Sequence, residues 1–95
     1  MSVSKYGTAV IDYMNNDDYE CWWCMWGDGL IVDACSHLFK GKNNHPLNVM
    51  QAAIDGLAKD DRFKKFKIRG MDASARSRVV RCFELKEEFR NRKDL

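Results

Sequence analysis

The sequence predicts a small α+β domain, roughly α-β-β-α-β-α, with a three-stranded sheet built on a β-hairpin and helices packed on it. Three observations point there. Apolar residues recur at spacings of three and four in some segments and of two in others, so both helical and strand periods are present. Two β-rich runs flank Gly27-Asp28-Gly29, a turn signal. Asparagine, histidine and proline at positions 44–46 mark one helix start. A chain of 95 residues is expected to be a single domain, 1–95, with one core.

The elements follow in order. Ser2 is a candidate N-cap for a first helix whose stripe is Val3, Tyr6, Val10, Ile11 and Met14, stopped by Asn15, Asn16 and two aspartates. The run TAVIDYM also has strand character, and a strand is the alternative there. Tyr19 to Trp26 and Leu30 to Phe39 are expected to pair as a hairpin, because Asp-Gly supplies the positive φ angles of a tight turn. A helix is predicted over about 46–58, with Leu47, Met50, Ala53, Ile54 and Leu57 on one face. RFKKFKIRG alternates Phe66 and Ile68 against Lys65, Lys67 and Arg69, a strand with one basic face. Asp72 is a candidate cap for a last helix through about Arg92, with Ala75, Val79, Cys82, Phe83 and Phe89 on its apolar side. VVRCFEL is the alternative strand, since paired valines and Cys-Phe favour one.

Charge is uneven along the chain. Residues 1–58 hold three basic side chains and seven acidic ones, a net of −4; residues 59–95 hold thirteen and seven, a net of +6. An electropositive end suits nucleic acid or an acidic protein surface. The candidates for that contact are Arg62, Lys64, Lys65, Lys67, Arg69, Arg76, Arg78 and Arg81. No RNP-type signature accompanies them.

The stretch from Cys21 to His37 holds three tryptophans and three cysteines. Trp22, Cys24 and Trp26 alternate with Cys21, Trp23 and Met25, so a strand here is apolar on both faces. Either both faces are covered, or one is left for a partner. Trp22, Trp23, Met25 and Trp26 are therefore the candidate protein interface, for a protein partner, a nucleoprotein complex or a second copy of the chain. The spacing of Cys21, Cys24, Cys35 and His37 resembles a Cys3His zinc site. Cys21 and Cys24 would point to opposite faces of a strand, and two tryptophans between them are poor turn formers. Small apolar fillers of the core are the stronger expectation for these thiols, and no metal or other cofactor is expected.

Catalytic sets are sparse. Asp33, Cys35 and His37 would lie in parallel on one strand face rather than converge. The order strand, hairpin, a helix carrying AAI after the paired asparagines, then a strand ending in GMD, over about residues 8 to 72 with the N-terminal segment taken as a strand, resembles a truncated ribonuclease H-like core. That resemblance puts Asp12 and Asp72 near two metal-ligand positions. The first turn of the helix, however, holds Leu47, Asn48 and Val49 where that family has a glutamate, and two-metal hydrolysis needs the full carboxylate set. The chain is expected not to be an enzyme.

No apolar run approaches the ~20 residues of a membrane span, and MSVSKYG lacks the apolar region of a secretory signal. A cytoplasmic protein is expected, or one working in a host's cytoplasm, with reduced thiols. Size class adds a further expectation. Short chains with an aromatic face, a charged end and no catalytic set include phage-encoded inhibitors of host or CRISPR machinery. The expected role is a stoichiometric regulator that occludes its partner, with direct nucleic-acid binding and a zinc-binding hairpin as alternatives.

Overall fold

The computed structural model describes residues 2–16, 21–39, 41, 44–71 and 77–91. Among them are three α-helices and a three-stranded antiparallel sheet, so the fold class is α+β. In chain order the elements are α1 (Lys5–Met14), β1 (Trp23–Met25), α2 (Gly29–Cys35), α3 (Pro46–Ala58), β2 (Phe63–Met71) and β3 (Ser77–Leu85). Short 3-10 turns follow α2 (Ser36–Phe39) and β3 (Glu87–Phe89). The sheet order is β1-β3-β2.

α1 forms where the apolar stripe predicts, but Ser4 caps it rather than Ser2. The Ser4 hydroxyl accepts from the backbone N–H groups of Tyr6 (3.1 Å) and Gly7 (3.3 Å). The Ser2 N–H instead donates to the Asp61 carboxylate at 2.7 Å. A helix at this position removes the N-terminal strand on which the ribonuclease H resemblance depends. Asp72, its other carboxylate, lies outside the described residues.

The predicted hairpin is not there. Of the described residues there, only Trp23–Met25 is strand, and it pairs with β3 rather than with Leu30 to Phe39. Gly27 does take a positive φ, 91°, in a turn closed by the Asp28 N–H on the Met25 carbonyl. Asp28 then caps a helix, accepting from the Leu30 N–H at 3.1 Å. Leu30, Ile31, Ala34 and Cys35, the buried side chains of α2, repeat with a helical period.

α3 matches the predicted bounds. Pro46 stands at its start and the His45 Nδ1 accepts from the Leu47 N–H at 3.2 Å. Its buried face takes Val49 in place of Leu47, which is exposed.

The predicted last helix is instead β3, the strand alternative. β3 forms a hairpin with β2, in a register running from Phe63 opposite Leu85 to Met71 opposite Ser77. The alternation of Val79, Arg81, Phe83 and Leu85 with Val80, Cys82 and Glu84 satisfies a period of two once β1 and β2 flank it.

All three helices lie on one side of the sheet. Their buried residues form one core with Trp22, Cys24, Phe63, Phe83 and Leu85. Cys82 is fully buried yet stands outside that core, on the other side. No helix among the described residues is long and apolar enough to cross a membrane.

Candidate functional site

The strand register assigns every sheet residue to one of two faces, since directly opposed residues share a face. Trp22, Cys24, Phe83, Leu85 and Phe63 occupy the covered face. The open face carries Trp23, Glu84 and Lys64 in one row across the strands. Met25, Cys82 and Phe66 form the next row, then Val80 beside Ile68. Trp23 is 41% exposed, Phe66 40% and Ile68 37%, large fractions for side chains of this size. Met25 and Val80 are half-buried. Cys82 is hidden at the centre by these neighbours, and the loss of hydration raises its thiol pKa. The Glu84 carboxylate at one end lies 3.4 Å from Arg90 and 4.0 Å from Lys64. An apolar centre with charges at its border is the anatomy of a protein interface.

The tryptophans therefore separate. Trp22 is 6% exposed and belongs to the core, with the Arg90 guanidinium 5.6 Å from its ring centroid. Trp23 lies on the open face with Met25. Trp26, 40% exposed, follows β1 on the helix side, its N–H bonded to the Arg81 carbonyl.

The eight basic candidates do not make one patch. Arg62 is embedded in a network around Asp60, whose carboxylate is fully buried. The guanidinium reaches Asp60 from Nη2 at 2.8 Å and from Nε at 3.0 Å, and also the Thr8 hydroxyl at 2.9 Å. The backbone N–H groups of Ser4 and Arg62 donate to the same carboxylate. Burial alone would raise the Asp60 pKa, but the Arg62 and Ser4 hydrogen bonds outweigh it and hold the carboxyl below its usual range. The hydrogen bond to Asp60 raises Arg62 in turn. This network fastens the start of α1 to the α3–β2 connection. A side chain on Gly7 would collide with the Asp60 carboxylate, so glycine there permits the approach. The sequence signal was the Asp60-Asp61-Arg62 run between helix and strand, where Arg62 reads as one more surface cation.

Lys64 is on the open face. Lys65, Lys67 and Arg69 share the helix side with Arg81, in the outer part of the β2–β3 hairpin. Lys65 opposes Phe83, Lys67 opposes Arg81, and Arg69 opposes Val79. Lys65 donates to the Asp60 carbonyl at 2.6 Å. Beside them is a cleft of about 730 Å³, lined by Lys65, Lys67, Arg81 and Phe83 and also by Phe66 and Cys82 of the neighbouring rows. Arg78 is paired with Gly70 in the strand register. Arg76 lies outside the described residues.

The thiols and histidines do not assemble into chemistry. All four cysteines are free thiols. Cys24 and Cys35 are buried in the core, and desolvation pushes Cys35 up to about 11 and Cys24 further. Cys35 donates to the Tyr6 carbonyl. Cys21 is half-buried beside β1 and His37 is exposed in the turn after α2. No group of three His, Cys, Asp or Glu side chains among the described residues is placed to hold a metal ion. Asp33, Cys35 and His37 run along a helix and its 3-10 continuation, where residues two apart do not face each other.

No protein-family model, curated protein or solved structure matches the chain.

Proposed function

We propose that this protein is a non-enzymatic binding module that associates stoichiometrically with a partner protein on the open face of its sheet. One observation carries the proposal. Trp23, Met25, Phe66, Ile68 and Val80 form contiguous apolar rows around Cys82, and the helices all pack on the opposite face. A contiguous apolar patch with a charged border marks an interaction surface. Tryptophan is among the residues most enriched at binding hot spots.

The occupant that fits is a different protein with an apolar centre and charged flanks. The border of this face carries Glu84 with Lys64 and Arg90 beside it, and groups of complementary charge flanking the partner's apolar centre fit them. A partner that handles nucleic acid would be occluded by such docking, which makes the protein its inhibitor.

Affinity capture from source-cell lysate tests this with the wild type, a Phe66→Asp/Ile68→Asp double variant, and a Lys67→Glu/Arg81→Glu control. The expected result is a stoichiometric partner retained by the wild type and lost at least tenfold with the open-face variant, whose thermal melt stays cooperative. Identical captured proteins for wild type and open-face variant would overturn the proposal. So would a concentration-dependent homodimer in sedimentation that the same variant abolishes.

A further inference from the structure

The helix side of the outer hairpin poses a separate question. Lys67 and Arg81 are directly opposed on adjacent strands, an arrangement of like charges that is destabilising. Among the described residues neither makes an ion pair with a carboxylate. The rows they occupy carry no acidic residue. On β2 these positions are Phe63, Lys65, Lys67, Arg69 and Met71; on β3 they are Val79, Arg81, Phe83 and Leu85. Charge of one sign is thus concentrated along a strand edge and over a cleft of about 730 Å³.

The spacing is regular. Lys65, Lys67 and Arg69 sit two residues apart on β2, about 7 Å per step along a strand. Such a ladder suits a repeating polyanion better than a single anionic group. Across the sheet the row of Lys67 and Arg81 continues to Trp26, whose N–H is hydrogen-bonded to the Arg81 carbonyl at 3.0 Å. Trp26 is 40% exposed and Val79 56% exposed. The Arg81 guanidinium lies 5.9 Å from the Phe83 ring centroid, an aromatic contact that helps hold it above the sheet.

We infer that this surface binds single-stranded nucleic acid. Its phosphates follow Lys65, Lys67, Arg69 and Arg81, and a base stacks on Trp26. Cations along a groove with an aromatic platform beside them are the physical requirements for sequence-tolerant single-strand binding. An acidic protein segment would use the cations but has no use for the indole, which is why nucleic acid is the stronger fit. These cations occupy the rows of the sheet that alternate with those of the docking patch, and although Phe66 and Cys82 also line the cleft, Trp26 and Trp23 each belong to one surface alone, so each reading can fail without the other.

The test is fluorescence anisotropy of labelled 12-nucleotide oligo-dT and oligo-U across a salt series. The expected log–log slope is about −2 to −3, from three to four neutralised phosphates at ~0.7 each. Lys67→Gln/Arg81→Gln should flatten it by about 1.4 and weaken binding at least tenfold at low salt. Trp26→Ala should weaken binding severalfold with the slope unchanged, because stacking releases no counterions. Trp23→Ala, on the docking patch and outside the cleft, should bind as wild type does. Three results would overturn the inference: no binding of either oligonucleotide at low salt, a slope indifferent to Lys67 and Arg81, or equal binding of a poly-glutamate peptide that ignores Trp26→Ala. The last would assign the surface to an acidic protein.

Discussion

Trp22 and Trp23 are adjacent in the chain and belong to different worlds. One is sealed beneath the helices and the other stands on the bare side of the sheet, 6% against 41% exposed. Their intrinsic chemistry is identical, so the difference comes from which face the pleat gives each and where three helices happen to pack. The same contrast runs down the hairpin. Phe63, Phe83 and Leu85 complete the core, while Phe66 and Ile68, of equal hydrophobicity, face outward. Meanwhile Lys65, Lys67 and Arg69 take the side that the helices share. Apolar character therefore does not identify the interior of this molecule, and a greasy surface row is as much a product of its sequence as the core is.

The sharpest way to break that comparison is to remove each indole in turn. Trp22→Ala opens a cavity in the core and should cost about 3–5 kcal/mol in urea unfolding. Trp23→Ala should cost about 1 kcal/mol, since much of its ring is already in water. Equal losses would mean that the two faces are equally packed.

The next largest effect lies at Asp60, where the start of α1 meets the α3–β2 connection. Asp60→Asn keeps the shape but leaves Arg62, 14% exposed, without its counter-charge, and should cost about 3 kcal/mol near neutral pH. The pH dependence has a definite sign. The Asp60 carboxyl is depressed in the folded state, so its stabilisation is fully present above the unfolded value of about 4. It is lost as pH falls through the folded value. The gap between wild type and Asp60→Asn should accordingly close in acid. A gap that stays constant to below pH 2 would mean that Asp60 is not the group holding this junction.

Much of the architecture was legible in residue patterns, and the failures have physical causes. α3 and β2 each carry their own period, so local sequence was enough to place them; α1 has a helical stripe too, but TAVIDYM suits a strand as well, and the Ser4 cap with the burial of Val10, Ile11 and Met14 decides for the helix. α2 was hidden because Gly27-Asp28-Gly29 serves hairpin turns and helix caps equally well. Asp28 decides for the cap only when β1 has β3 as a partner. β3 was hidden for a related reason: Val79, Cys82 and Phe83 fit helical spacing as well as strand alternation, and the choice is made by two flanking strands far away in sequence. At the candidate sites, the doubly apolar character of Trp22 to Trp26 was visible from alternation alone. Which tryptophan faced out was not, because that depends on the helices. Arg62 looked like its basic neighbours, and only the three-dimensional approach of Ser4, Gly7 and Thr8 reveals it as a structural residue.

The smallest change in stability should give the finest view of the open face. Cys82 has no exposed surface, yet its neighbours in the register are side chains of its own sheet face, Met25, Phe66, Val80 and Ile68, and no helix among the described residues lies over them. Cys24 and Cys35 are just as hidden but lie under the helices. A maleimide reagent can reach Cys82 after side-chain rotation, whereas Cys24 and Cys35 need part of the fold to open. Site-resolved labelling by mass spectrometry should therefore find half-buried Cys21 fastest, Cys82 next, and Cys24 with Cys35 far slower. Phe66→Ala should cost about 1 kcal/mol, because Phe66 is 40% exposed and stands outside the core. It should nevertheless speed labelling of Cys82 about tenfold and leave the core thiols unchanged, since local access and global stability are separate quantities. A partner seated on Trp23 and Phe66 should slow Cys82, and Cys21 beside Trp23, while leaving Cys24 and Cys35 unchanged. If Cys82 instead reacts in step with Cys24, the face counted as open is closed by something that moves with the core, and the distinction between the two tryptophans loses its meaning.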